Sequence, residues 1–192
     1  MVKKHKLVEK RVMKDDDPLD HHYRIVESQY LRTKVQYIQA FGNKAIDYVE
    51  YVENALLMEK FENKKKAFKT KYNSEDETEY ILAFHGTPKP ANIESITTNN
   101  FSMFYASNKS VYGKGIYFSE FPAVSETYAR NNHNVLLLCK VLQGKLDEDY
   151  RKVGVDFQLQ RTTSDPNEKG WAIIIENVDQ ILPCYVIHLK NV

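Results

Sequence analysis

His85-Gly86-Thr87 closes an apolar segment, Tyr80-Ile81-Leu82-Ala83-Phe84. Further along, Tyr112-Gly113-Lys114-Gly115-Ile116-Tyr117-Phe118-Ser119 sets a glycine-punctuated turn ahead of a second apolar segment, with Ser125 and Tyr128 just beyond. These residues supply an imidazole, two phenol rings and a small hydroxyl. An imidazole can anchor a sugar hydroxyl, and an electron-rich ring face suits a flat cationic heterocycle. A seryl hydroxyl can meet an amide. The set therefore suits a flat heteroaromatic amide joined to a ribose. Each member also has a plainer reading. His85 can be a surface or satisfied core histidine, Gly86 a turn former and Ser125 a helix cap. With 13 tyrosines in the chain, any one of them can be core packing.

The elements that must carry these residues follow from pattern. Residues 1–20 are polar, with an Asp15-Asp16-Asp17-Pro18 break, and read as a loose lead-in. Tyr23-Arg24-Ile25-Val26 reads as a short strand. Ser28 can then cap a helix whose Leu31, Val35 and Ile38 recur at i, i+4 and i+7, closed by Gly42-Asn43. Ile46 to Val52 reads as extended. Asn54 can cap a second helix with Leu57, Phe61 and Phe68 inward and Lys64-Lys65-Lys66 on a solvated face. Ser74 to Glu79 is an acidic loop. Beyond it, Ile81 to Phe84, Gly115 to Phe118, Val135 to Val141, Ala172 to Ile175 and Tyr185 to Leu189 read as strands. Pro90 to Ile96 and Pro122 to Arg130 read as short helices. Gln143 to Gly170, with its Asp165-Pro166-Asn167 turn, reads as a long surface connection. Helices first and many short strands after them predict an α+β domain with largely antiparallel pairing. A Rossmann domain is a poor match, because Gly113-Lys114-Gly115 lacks the third glycine and precedes a strand.

Composition narrows the class. With 192 residues, 42% hydrophobic and 28% charged, the chain can bury one substantial core. A formal charge of +1 gives no electrostatic reason to expect DNA or RNA binding. Cys139 and Cys184 lie inside apolar segments and read as buried free thiols of a reducing compartment. Six histidines and two cysteines make no metal-ligand spacing, so no metal is expected; His21-His22 and His133 read as surface residues. The basic start, Met1-Val2-Lys3-Lys4-His5-Lys6, is followed by no apolar run of a secretory signal. The apolar runs around Val135 to Cys139 and Ala172 to Ile175 are too short to span a bilayer. A soluble protein of the cytoplasm or nucleus is the expectation, with no membrane partner.

His85-Gly86-Thr87, the Gly113-to-Ser119 segment and the Ser125-x-x-Tyr128 pair, in this order, resemble the catalytic domain of the poly(ADP-ribose) polymerase family. Ser28-Gln29-Tyr30 through Phe61 is similar to that family's opening strand-helix-strand-helix. Leu136 to Gly144 is similar to its central strand, and Asp179 to Ile187 to its closing strand. The resemblance implies a diphtheria-toxin-like ADP-ribosyltransferase fold, a mainly antiparallel split β-sheet core flanked by short helices, spanning residues 21–192 as one catalytic domain. It implies NAD+ as co-substrate and a protein, this chain included, as acceptor of ADP-ribose. His85 and Tyr117 become the candidate catalytic residues. His85 and Thr87 would meet the adenosine-side ribose, and Gly86 and Ser125 the nicotinamide amide. Tyr117 and Tyr128 would sandwich its ring. Asn100 to Tyr112 would be the loop over the donor, with Tyr105 as a lid.

One position departs from the pattern. Chain-building members of that family place a glutamate at the start of the penultimate strand, eight residues before the glutamine matching Gln180. Here that position is Ala172. Glu168 and Glu176 would each lie about 13 Å away along a continuing strand. Loss of one charge-stabilising group costs on the order of 3 kcal/mol, about a hundredfold in rate. The resemblance therefore implies transfer of a single ADP-ribose unit. A catalytically silent module that keeps an NAD+ or ADP-ribose pocket stays open beside it, as does an α+β protein without a ligand.

Overall fold

The computed structural model describes residues 8–13, 21–34, 44–72, 78–106, 113–129, 134–142, 144, 146–147, 157–160 and 172–191. Nine strands and four helices stand among them: β1 (Val8–Met13), α1 (His21–Lys34), β2 (Lys44–Asn54), α2 (Ala55–Tyr72), β3 (Tyr80–Gly86), α3 (Pro90–Asn99), β4 (Ile116–Phe118), α4 (Pro122–Ala129), β5 (Val135–Leu142), β6 (Leu146–Asp147), β7 (Phe157–Gln160), β8 (Ala172–Ile175) and β9 (Ile181–Asn191). They build two sheets, one ordered β1-β2-β9-β5-β3 and one ordered β4-β8-β7-β6. Every pairing is antiparallel except β6 with β7. The α+β, mainly antiparallel expectation holds.

Period-two alternation sorts the first sheet's side chains into two cores. On one face Phe84, Leu136, Leu138, Leu142 and Ile187 pack beneath α1 and α2, which contribute Tyr23, Val26, Tyr30, Leu57, Phe61 and Phe68. On the other face Ala83, Leu137, Cys139, Val141 and Val186 meet Ile93 and Ile96 of α3 and Ile116, Phe118, Ile173 and Ile175 of the second sheet. A strand covered on both sides is apolar along most of its length, which is why β5 is hydrophobic at every position but the half-buried Lys140. Cys139 and Cys184 are free and buried, as expected.

Asn54 forms the predicted cap, accepting from the Leu57 N–H at 3.2 Å. Its amide nitrogen also donates to the carbonyls of Thr97 and Thr98, at 2.9 and 3.0 Å. One side chain thus joins the start of α2 to the end of α3.

Several expectations are corrected. Tyr23 to Val26 is not a strand but the first part of α1, and Ser28 lies inside that helix. Tyr23, Val26 and Tyr30 bury one helical face, which outweighs the β-branched Ile25-Val26 pair. Val35, Ile38 and Gly42-Asn43 lie outside the described residues. Within the expected lead-in, Val8–Met13 forms an edge strand against β2, its charges held by Lys10–Glu94 at 2.8 Å and Arg11–Glu53 at 3.3 Å. The Gln143 to Gly170 connection contains β6 and β7, and β7 pairs with β8. His22 is half-buried rather than a surface residue: it stacks on Tyr51 with centroids 4.0 Å apart and its Nδ1 lies 3.0 Å from the Tyr185 hydroxyl. Among the described residues no helix is long and apolar enough to cross a membrane.

Candidate active site

The two sheets meet where β3 ends. Phe84 exchanges backbone hydrogen bonds with Ser119, N–H to O at 2.7 Å and O to N–H at 3.0 Å. Phe84 therefore turns its polar backbone away from β5, and alternation turns the N–H and C=O of Gly86 to that same side. A donor and an acceptor side by side are what a carboxamide requires.

Helix α4 seats against this strand end. A Cβ on Gly86 would overlap the Ser125 carbonyl oxygen, so the room left by the missing side chain is taken by α4's backbone rather than kept open. Ser125 is buried and its Oγ donates to the Phe84 carbonyl at 3.0 Å; its lone pairs remain as acceptors. Ser125 sits within α4 and is not its cap. From behind, Glu126 accepts from the Tyr30 hydroxyl at 3.2 Å and pairs with Lys44 at 3.2 Å, fastening α4 to α1 and β2.

His85 faces the opposite core. Its Nδ1 lies 2.8 Å from the Tyr117 carbonyl. A carbonyl only accepts, so Nδ1 carries the proton and Nε2 presents a lone pair. Phe101 meets the imidazole edge-on with centroids 4.8 Å apart, and Phe118 lies tilted at 5.5 Å. Burial among these rings lowers the imidazole pKa to about 4, against the opposing pull of the Tyr117 bond. His85 is thus a neutral, oriented hydrogen-bond acceptor.

Tyr117 sits at the middle of β4, opposite Ile174, and its hydroxyl donates to the Gly113 carbonyl at 2.7 Å. Gly113 has φ 96°, the left-handed conformation that favours glycine, so this bond closes a turn that the sequence permits. Thr87 is buried and accepts from the Asn92 amide at 2.7 Å, which ties it to α3. Tyr128 lies three residues beyond Ser125 on α4, 64% exposed. Tyr105 is 84% exposed and contacts Phe104 edge-on at 5.2 Å. Tyr112 lies outside the described residues. The structure therefore brings His85, Gly86, Tyr117 and Ser125 together, holds Thr87 beside them through α3, and leaves Tyr105 and Tyr128 projecting to solvent. Sequence reasoning missed Phe101 and Phe118 as the flanks of His85; their spacing carries no signal, because the contact forms only when two sheets and a loop converge.

Ala172 opens β8, opposite Gln160. Its neighbours Ile173 and Ile174 pair with Phe118 and Tyr117. Alternation puts Ala172 on the sheet face that carries Tyr117 and Ile174, while Ile173 and Ile175 point into the core. β8 ends at Ile175, so Glu176 lies past the strand. Gln180 is buried and donates to the Leu142 carbonyl at 3.2 Å, tying the start of β9 to β5. Among the described residues no group of three or more His, Cys, Asp or Glu is placed to hold a metal ion.

Two stitched sheets, with a neutral histidine and a glycine edge at their junction, are the ADP-ribosyltransferase fold of the family that the chain matches. The family model of the poly(ADP-ribose) polymerase catalytic domain matches residues 20–184. The chain belongs to that family, whose members are transferases that take ADP-ribose from NAD+.

Proposed function

We propose that this chain is a protein mono-ADP-ribosyltransferase. Bound NAD+ supplies the ADP-ribosyl group and a pyridinium leaving group that departs as neutral nicotinamide, so the protein need not provide a strong acid. The chain's own residues position and hold. Nε2 of His85 accepts from a hydroxyl of the adenosine-side ribose, with Thr87 beside it. The N–H and C=O of Gly86 pair with the nicotinamide amide, and Ser125 Oγ adds a third contact. Tyr117 and Tyr128 offer ring faces to the pyridinium, and Tyr105 closes over it. Holding the donor and acceptor in line accounts for much of the acceleration.

The observation that carries the single-unit reading is the methyl group of Ala172 on the face shared with Tyr117. Among the described residues this face presents no carboxylate to hold the nicotinamide ribose or to take a proton from an incoming sugar hydroxyl. An acidic acceptor side chain, from another protein or from this one, brings its own carboxylate. The same methyl group favours the rival reading of a silent NAD+-binding module that acts through partners.

Labelled NAD+ separates the two. The transferase reading expects single-unit label on the protein or on lysate acceptors, lost in His85→Ala and Tyr117→Ala. Saturable NAD+ binding without label on any acceptor would establish the silent module instead.

A further inference from the structure

We infer that Asn100 is a positioning residue that holds Phe101 against His85 and so fixes where Nε2 points. The inference rests on the donor-site reading given above. Asn100 follows α3 with φ 72° and ψ 178°, a region almost confined to glycine. A chain that needed only to turn here would be served without strain by glycine. The asparagine is buried, and its side chain accounts for its presence.

Both of its amide hydrogens are engaged. Nδ2 donates to the Val178 carbonyl at 2.9 Å and to the Ile181 carbonyl at 3.1 Å. Oδ1 accepts from the Phe101 N–H at 2.9 Å, and the backbone N–H reaches the Ile96 carbonyl at 2.9 Å. Aspartate could not donate, and glutamine is a methylene too long for the same bonds. The bolt therefore joins the end of α3 to the segment linking β8 and β9, and the next residue is fixed by it. That residue is Phe101, whose ring meets His85 edge-on at 4.8 Å and Phe118 at 5.4 Å. The segment carrying Tyr105 begins at the same point.

Three variants of the full chain test this: Asn100→Gly, which fits the backbone but deletes the bolt; Asn100→Asp, which keeps the shape but loses both donors; and Phe101→Leu, which keeps the bolt but removes the ring. The readouts are the His85 ring titration followed by 15N NMR and the Kd for NAD+. All three should move the His85 titration upward from about 4 toward the ordinary 6.5 and weaken NAD+ binding about tenfold. A folded Asn100→Gly with unchanged titration and Kd overturns the proposal. If that variant does not fold, Phe101→Leu decides: a titration still near 4 refutes the contact. The NMR shift is read without NAD+, so a wild-type chain that never binds NAD+ sinks the donor-site reading and leaves the Asn100 result separately legible.

Discussion

The end of β3 and the start of β8 belong to the two sheets that Phe84 and Ser119 join, and they are built on opposite principles. At β3 many of the polar groups are tied by hydrogen bonds within the protein. Phe84 bonds Ser119 in both directions, Ser125 donates to Phe84, His85 donates to Tyr117 and Thr87 accepts from Asn92. At β8 the sequence is Ala-Ile-Ile-Ile, and the face toward Tyr117 offers only methyl and sec-butyl groups. Polar groups are thus oriented by fixed bonds at the end of one sheet, while the described residues of β8 present only apolar side chains on the other. Because the two features sit on different strands of different sheets, the proposed function expects donor binding and product length to respond to different mutations.

The largest effect should come from breaking the β3 side. In Gly86→Ala the new methyl overlaps the Ser125 carbonyl oxygen and stands 2.8 Å from its carbon and 3.2 Å from the Ala129 nitrogen. These are backbone atoms and cannot rotate away, so α4 must withdraw. Overpacking of this kind costs about 1–3 kcal/mol, here at the upper end, lowering Tm by about 5–10 °C. NAD+ binding should be lost along with the seat of Ser125. A variant with native Tm and native NAD+ affinity would contradict the account of Gly86.

Next in size is filling the β8 side. Ala172→Glu puts a carboxylate on the face that presents Tyr117. A charge-stabilising group of this type is worth on the order of 3 kcal/mol, about a hundredfold in rate. The expected product changes from single units to short chains, read as a ladder on a gel of labelled protein. Ala172 is only partly buried and opens its strand, so the longer side chain has an exit. Faster transfer that still yields single units would break the link between Ala172 and product length.

What sequence made legible divides along the same physical line. Elements with dense local signals were readable: α2 through the Asn54 cap and the Leu57, Phe61 and Phe68 spacing, and β3 and β5 through their apolar runs. The candidate site residues His85, Gly86, Tyr117 and Ser125 stand in sequence as an ordered motif, and the fold brings them near one another. Illegible features depend on distant partners. β1 carries charge on both faces because it is an edge strand, so no alternation marks it. β7 lies inside a polar stretch and exists through its pairing with β8. Asn100 finds its two carbonyl partners 78 and 81 positions downstream, a relation that no local pattern encodes.

The smallest effect sharpens the comparison by pH. His85 in the folded chain titrates near 4, below its ordinary 6.5. Between those values the unfolded chain binds the extra proton and the folded chain does not, so stability rises with pH across this interval. The contribution is fully present above 6.5 and is lost as pH falls through 4. NAD+ binding should follow the Nε2 lone pair. It should be flat from pH 8 to 6, reduced by about a tenth at pH 5 and halved near pH 4. A calorimetric titration series on wild type checks this, with Phe101→Leu as its control, since a more hydrated imidazole moves the falling limb toward 6.5. A wild-type limb already centred at 6.5 would mean that the ring is solvated and that Phe101 and Phe118 do not shield it.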